Sequence, residues 1–332
     1  MTDIWLASFA ILAGFVGLIW SADRFVGGSA AMAKNFGIPK MVIGLTIVAF
    51  GTSAPEIVVS ISAAIKQTGD LAVGNALGSN LANIGLVLGV TALISPLPIQ
   101  RHILTQETPI LLAVTAIAGY CLYDGKLTTA EGFLLLGSLI PVLTIMTLGK
   151  KGHPTEEEDD EIPQLETAKA AIWFASGLVL LILSAETLVW GAKEIALFFE
   201  VSPLIIGLTV IAIGTSLPEL AASVVSALKG HHDIALGNII GSNIFNLLAV
   251  LAVPGLVDSP QMGEEVFFRD YASMAGLTLF LVLAIALDYK LRANQNNAPA
   301  SGDGYNQTHG RLGKRIGVLL LMAYAGYYLW LF

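Results

Sequence analysis

The sequence predicts an all-α polytopic membrane protein with ten transmembrane helices in two inverted five-helix repeats. Three observations support this fold class: an apolar composition, polar breaks that divide the chain into ten apolar spans, and an internal repeat. Of the 332 residues, 55% are hydrophobic and only 13% are charged, and the mean hydropathy is +0.74. A soluble domain has roughly a quarter charged residues, so most of this chain must contact lipid.

Nine polar breaks separate the ten spans, and each span is close to the roughly 17–25 residues that a helix needs to cross a bilayer. The breaks lie near 34–40, 66–70, 98–102, 124–126, 150–169, 198–202, 229–233, 258–270 and 288–315. Helices are favoured because they satisfy every backbone polar group internally. A transmembrane barrel would need alternating strands, and runs such as GLVLLILSAETLVW do not alternate.

The distribution of lysine and arginine predicts the orientation in the membrane. With the amino terminus outside, the odd-numbered breaks and their flanks hold thirteen of these residues and the even-numbered breaks only four. We therefore expect a multi-pass protein of the cytoplasmic membrane with both termini outside. The first ten residues, MTDIWLASFA, have no basic region or cleavage site and are interpreted as a retained helix.

The internal repeat has an offset of 163 residues. Gly44–Asn83 superposes on Gly207–Asn246 without a gap, with twenty identities in forty positions. The identities include Thr-Ser, Pro-Glu and Gly-Ser-Asn, whereas chance similarity between apolar segments would match Leu, Val and Ala. The offset extends back to SADRFVGG at 21–28 and SAETLVWG at 184–191, so the repeat unit is predicted to be five spans.

The repeat predicts a first five-helix unit at 1–149, a cytoplasmic acidic linker at 150–168 and a second five-helix unit at 169–332. The run EEEDDE at 156–161 is interpreted as a solvated part of the linker, with a regulatory calcium site as the alternative. An odd number of spans per unit inverts the second unit relative to the first. Interrupted helices at corresponding places in inverted halves indicate the midplane site of a secondary transporter, although a duplicated scaffold without transport is an alternative.

Prolines predict where these helices are interrupted. Pro55 and Pro218 lack a backbone N–H and clash with the carbonyl four residues earlier, so the second and seventh helices should break near Gly51 and Gly214. The third and eighth helices are predicted to be broken as well. The freed carbonyls are tolerable in lipid only where they line a cavity or meet a cation.

Two carboxylates, Glu56 and Glu219, are predicted to face each other across the pseudo-axis near mid-bilayer. An ionisable residue there costs several kcal/mol and is a functional-site hypothesis by default, with neutral glutamates as structural links the alternative. Thr52 and Ser60 each lie four residues from Glu56 and share its helix face. The same spacing puts Ser79 on one face with Asn83, and Ser242 on one face with Asn246. Such hard oxygen ligands suit calcium, sodium or magnesium and argue against zinc or copper.

Charge balance predicts the mechanism. Two ionised glutamates are neutralised by one Ca²⁺ or by two Na⁺, and only the neutralised site should cross a low-dielectric barrier. The empty site should not cross, so the prediction is obligatory exchange rather than leak. Calcium's preference for six to eight oxygens, at about 2.3–2.6 Å, fits this ligand set better than magnesium's rigid octahedron.

The motifs GTSAPE and GNALGSNLANI, with GTSLPE and GNIIGSNIFNL in the second half, resemble those of the cation/calcium exchanger superfamily, and within it the bacterial sodium/calcium exchangers. The resemblance covers essentially all ten spans. It implies two inverted halves, with helices 1 and 6 sliding across an eight-helix core. It also implies a calcium site formed by the Glu56 and Glu219 carboxylates and the Thr52 and Thr215 carbonyls.

The resemblance further implies sodium sites with a serine pair and a carbonyl from each half. These would use Ser53, Ser79 and the Ala49 carbonyl, Ser216, Ser242 and the Ala212 carbonyl, with Asn83 and Asn246 at the centre. Some members of the superfamily have Asp where Asn246 stands. The pair of asparagines here implies no dependence on potassium.

The predicted function is a secondary antiporter, not an enzyme, that exchanges Ca²⁺ for Na⁺ by alternating access and expels calcium. A Ca²⁺/H⁺ antiporter is the alternative, because two close carboxylates can also carry protons. An intramembrane carboxylate-dyad hydrolase is a distant third, since it would explain neither the symmetric Ser and Asn oxygens nor the broken helices. We expect no cofactor beyond the transported Ca²⁺ and Na⁺, contact with the lipid bilayer, no nucleic-acid partner, and a mechanism that does not require an oligomer.

Overall fold

The computed structural model of the protein describes residues 4–148, 164–201, 210, 212–295 and 308–331. The predicted acidic linker lies largely outside these residues. The helices are α1 (Ile4–Phe36), α2 (Lys40–Thr52), α3 (Ala54–Ile65), α4 (Gly69–Ile94), α5 (Ile103–Leu122), α6 (Thr129–Leu148), α7 (Thr167–Phe198), α8 (Ala212–Thr215), α9 (Leu217–Leu228), α10 (His232–Val257), α11 (Ala272–Gln295, preceded by π-helical Val266–Tyr271) and α12 (Lys314–Leu331).

The protein is mostly helical and spans the membrane several times. Within the described residues, seven helices are long and apolar enough to cross a bilayer, or eight when the bent pair α2 and α3 counts as one span. The helices α9 and α12 occupy two further predicted spans, and part of the seventh predicted span lies outside the described residues. The count of ten and the inversion of the repeats therefore remain predictions.

The second predicted helix is interrupted at Ser53, where α2 ends and α3 begins with a bend of 43°. Ser53 has φ −81° and ψ 5°, and Ser216 between α8 and α9 has φ −89° and ψ 4°. Pro55 and Pro218 then lie in the first turns of α3 and α9, where a missing N–H costs no helical bond. The proline argument thus locates both interruptions to within two residues.

The prediction that the third and eighth helices are broken was wrong. α4 and α10 are each continuous over 26 residues. A π-helical stretch begins at Asn83 in α4 and at Asn246 in α10. The motifs that open α4 and α10 contain glycines but no proline, and an interior glycine costs only about 1 kcal/mol while it keeps its backbone hydrogen bonds. The helix therefore widens at the two asparagines instead of breaking.

A short sheet departs from the all-α prediction. Strand β1 (Leu97–Gln100) pairs antiparallel with β2 (Thr308–Leu312), with Leu97 opposite Leu312 and Ile99 opposite Gly310. Both strands lie in predicted polar breaks, where extended backbone does not meet lipid. The sheet joins the segment after α4 to the segment before α12.

The core is centred on α4 and α10, whereas α1 and α7 are peripheral. Of the most apolar window of α10, 83% is buried, compared with 17% for α7. α1 packs mainly along α7 in an antiparallel pair. Their backbones approach closely at glycines: a Cβ on Gly28 would lie 2.5 Å from the Phe174 nitrogen, and one on Gly177 2.5 Å from the Phe25 nitrogen. Small residues at such positions allow close helix packing in membranes.

Candidate functional site

Two carboxylates are completely buried at the starts of two helices. Glu56 lies in the first turn of α3 and Glu219 in the first turn of α9, and neither is exposed. The positive ends of the helix dipoles favour negative charge at both places. The two carboxyl groups are also close enough to interact electrostatically. Because like charges repel strongly in a low-dielectric interior, a cation placed between the two carboxylates would relieve their repulsion.

Ser53 links the two interrupted helices. Its hydroxyl donates a hydrogen bond of 3.2 Å to Oε1 of Glu219. The corresponding hydroxyl of Ser216 is buried and has no hydrogen-bond partner among the described residues. The two halves are therefore bonded unequally at positions where their sequences are identical.

Thr52 joins the end of α2 to α10. Its hydroxyl donates to Oδ1 of Asn238 at 3.0 Å and lies 3.4 Å from the Ser242 hydroxyl and from the Ala49 carbonyl. The Ala49 carbonyl also accepts a hydrogen bond from the Ser53 backbone N–H at 3.0 Å. Hydroxyls and a carbonyl predicted as ligands thus lie together beside Glu219.

Asn75 and Asn238 are residues that the sequence analysis did not assign to the site. The Asn75 amide donates to the Glu56 carbonyl at 3.2 Å, and the Asn238 amide donates to the Glu219 carbonyl at 3.4 Å. Each therefore holds the helix turn that carries a carboxylate. The signal for them was present in the sequence, because Asn75 and Asn238 are one of the identical pairs at the offset of 163.

Several buried polar groups at the site have no hydrogen-bond partner among the described residues. They are both carboxyl oxygens of Glu56, Oε2 of Glu219, the Ser216 hydroxyl, and the side-chain amides of Asn83 and Asn246. An unpaired buried polar group costs about 1–3 kcal/mol, and a charged one costs more. Carboxylate and amide oxygens arranged in this way suit a hard cation.

For the remaining predicted ligands the structure gives mainly their burial and their place in a helix. Ser79 is buried on α4, and Ser242 is buried on α10. Thr215 ends α8, and Ala212 begins it, although the Ala212 side chain lies outside the described set. Among described residues, no group of three or more His, Cys, Asp or Glu could hold a metal ion. A cation here would rely on two carboxylates and neutral oxygens.

Comparison with known proteins identifies the family. A family model described as "Sodium/calcium exchanger protein" matches residues 6–148 and 169–332. The chain is 46% identical to CaxA of Alkalimonas amylolytica, which is named as an antiporter, over 98% of this chain and 99% of that relative. It is 31% identical to "Sodium/calcium exchanger MaX1" of Methanosarcina acetivorans, over 85% and 92% of the two chains.

A solved structure of the sodium-calcium exchanger NCX_Mj, soaked with 10 mM Na⁺ and no Ca²⁺, superposes with a TM-score of 0.80. Its sequence is 30% identical, and the match covers 98% of this chain and 99% of that chain. Sequence and fold agree over almost the whole length of the chain. The chain therefore belongs to the sodium/calcium exchanger family.

Proposed function

We propose that this protein exchanges Ca²⁺ for Na⁺ across the cytoplasmic membrane by alternating access, in the direction of calcium extrusion. The observation that carries the proposal is the pair of fully buried carboxylates, Glu56 and Glu219, at the interrupted helices. The names of CaxA, MaX1 and NCX_Mj support an exchanger. We propose the ten-span, inverted two-repeat arrangement as its framework.

The unpaired oxygens support the choice of ions. Glu56 contributes two carboxyl oxygens without described partners and Glu219 contributes one. If both carboxylates bind through both of their oxygens, they and the Thr52 and Thr215 carbonyls give calcium six oxygens, the lower end of the six to eight that it takes. Sodium would use the serine hydroxyls and carbonyls of Ser53, Ser79, Ala49, Ser216, Ser242 and Ala212, with Asn83 and Asn246 between the sites. By resemblance to the superfamily, in which some members have Asp at the position of Asn246, the pair of asparagines supports transport that does not depend on potassium.

Unequal packing at equivalent positions of the two halves supports alternating access. Gly237 and Gly241 on α10 are buried against α2, and a Cβ on Gly241 would lie 2.5 Å from the Leu45 carbonyl. Their repeat equivalents on α4 differ, because Gly74 is exposed and Gly78 is half-exposed. In the predicted orientation, α4 begins at the outer face and α10 at the inner face. The proposed state is therefore open to the outside and closed to the inside.

The test is calcium uptake by proteoliposomes containing the purified protein and loaded with sodium. We expect an outward sodium gradient to drive Ca²⁺ uptake, and Glu56→Gln or Glu219→Gln to reduce it to background. Asp70→Asn is the matched control, because Asp70 also lies in the first turn of a helix but is exposed. That variant should transport normally.

Imposed potassium and proton gradients complete the test. Uptake driven equally well by a pH gradient without sodium would favour the proton-coupled alternative. Sodium-coupled flux that survives neutralisation of both glutamates would refute the carboxylate mechanism.

A further inference from the structure

An ion pair fastens the peripheral helix α1 to the core. The Lys229 ammonium lies 2.6 Å from a carboxyl oxygen of Asp23 and also donates to the Asp23 carbonyl at 3.4 Å. Asp23 belongs to α1, and Lys229 lies in the turn between α9 and α10. The contact therefore joins the α1–α7 pair to the beginning of the central helix α10.

The internal repeat supplies a second acid and base at the equivalent positions. The offset of 163 relates Asp23 to Glu186 on α7, and Lys229 to Lys66 after α3. Each of the four residues thus has the same sign of charge as its repeat equivalent. Glu186 and Lys66 are nevertheless exposed, and within the described part of the chain neither side chain makes an ion pair or a hydrogen bond. The second pair of charges is present in the sequence but is not used in this state.

The pair that is formed lies on the closed side of the molecule. Asp23 and Lys229 meet near the start of α10, where Gly237 and Gly241 are sealed. Lys66 lies just before α4, where Gly74 is exposed. Each potential ion pair thus belongs to one side of the proposed exchange cycle, and only the side that is closed has its ion pair.

We propose that Asp23–Lys229 and Glu186–Lys66 are alternating ion-pair latches, each formed when its own side of the transporter closes. The inference rests on the proposed alternating-access function and assigns to it four residues outside the ion site. When the halves exchange conformations, Glu186 reaches Lys66 and Asp23 leaves Lys229. Glu186, an exposed acid on the peripheral helix α7, thereby gains Lys66 as a partner in the state in which the outer side is closed.

The expected effect of one latch is modest. The side chains of Lys229 and Asp23 are 32% and 46% exposed. Partly exposed ion pairs are weak and screened by salt, so loss of one should change the ratio of outward-open to inward-open protein by up to about five-fold. Such a bias changes transport rates without abolishing transport.

The first experiment measures this ratio in proteoliposomes that lack both ions. Gly74→Cys, in a Cys121→Ala background, reports the open outer side through its labelling rate with an impermeant maleimide. Adding Asp23→Asn should slow labelling by up to five-fold, and adding Glu186→Gln should leave it unchanged or raise it. Lys193→Gln, on the same helix as Glu186, is the charge control and should have no effect. Exchanging the charges with Asp23→Lys and Lys229→Asp should restore labelling.

A second experiment captures the pairs directly. Cysteines replacing Asp23 and Lys229 should be joined by a short bifunctional thiol reagent when the protein is outward-open. Cysteines replacing Glu186 and Lys66 should be joined only in conditions that favour the inward-open state. Two results would overturn the latches. One is an equal change of the labelling rate, in the same direction, in Asp23→Asn and in Glu186→Gln. The other is the absence of a cross-link between positions 66 and 186 in every condition. Absence of sodium-driven calcium uptake by the wild-type protein would instead refute the proposed function.

Discussion

Replacing Gly241 by alanine tests the seal between α2 and α10. An added Cβ would lie 2.5 Å from the Leu45 carbonyl oxygen and 2.7 Å from the Ala49 Cβ. These distances are far below ordinary contact, and the obstructing atoms include backbone, which cannot rotate away. α2 must therefore move away from α10, and the seal should loosen.

The magnitude follows from two opposing contributions. Overpacking of this kind costs typically about 1–3 kcal/mol, and backbone obstruction places Gly241→Ala toward the upper end. Alanine is favoured over glycine in a helix by about 1 kcal/mol, which offsets part of the cost. We expect a net loss of about 1–2 kcal/mol in the free energy of unfolding.

Gly78 provides a matched control, because it is the repeat equivalent of Gly241. No atom from a described segment beyond its own helix lies within 4 Å of a Cβ at Gly78. Gly78→Ala should therefore stabilise the protein by about 1 kcal/mol through helix propensity alone. The same substitution at equivalent positions should have effects of opposite sign.

The assay is reversible unfolding in detergent micelles, with both variants measured in the same ion-free buffer. If Gly241→Ala were as stable as Gly78→Ala, the close contact between α2 and α10 would not exist in the protein. The inference of a sealed inner side would then lose its main support.

Two further outcomes are expected. Ser53→Ala removes the donor to the Glu219 carboxylate and should cost about 1.5–3 kcal/mol of unfolding free energy in ion-free buffer, whereas Ser216→Ala, which loses no described hydrogen bond, should cost much less; equal losses would contradict the unequal bonding. Burial, reinforced by nearby cationic side chains, lowers the pKa of His231 to about 4. The folded state therefore keeps His231 neutral, and its contribution is present above pH 6.5 and is lost as the pH falls towards 4. The free energy of unfolding should fall by about 2 kcal/mol between pH 7 and pH 5. His231→Gln should remove this fall, and an unchanged pH profile in that variant would refute its assignment to His231.

The interrupted helices could be predicted because their cause is local. Pro55 and Pro218 forbid a regular helix within one turn, and the structure ends α2 and α8 there. The carboxylates were found in the same way, since an acid within an apolar span is conspicuous whatever its tertiary surroundings. The repeat then associated Glu56 with Glu219.

Features that depend on distant contacts were harder to predict. β1 has only four residues, and its partner β2 is more than 200 residues away, so no local pattern indicated the pairing. The continuity of α4 and α10 was also missed: each helix keeps its backbone bonds by widening at Asn83 and Asn246. The roles of Asn75 and Asn238 required the positions of the Glu56 and Glu219 carbonyls, which only the fold provides.

The small sheet ties the two halves of the chain together outside the membrane-spanning helices. Backbone hydrogen bonds between β1 and β2 resist shear, and their register places Ile99 opposite Gly310. The ladder connects the junction of α4 and α5 to the junction of α11 and α12, so it ties these four helices into one frame, with one strand from each half of the chain. Among the described elements, α1 and α7 contribute no strand to this frame, so a movement of these two helices would leave the ladder intact.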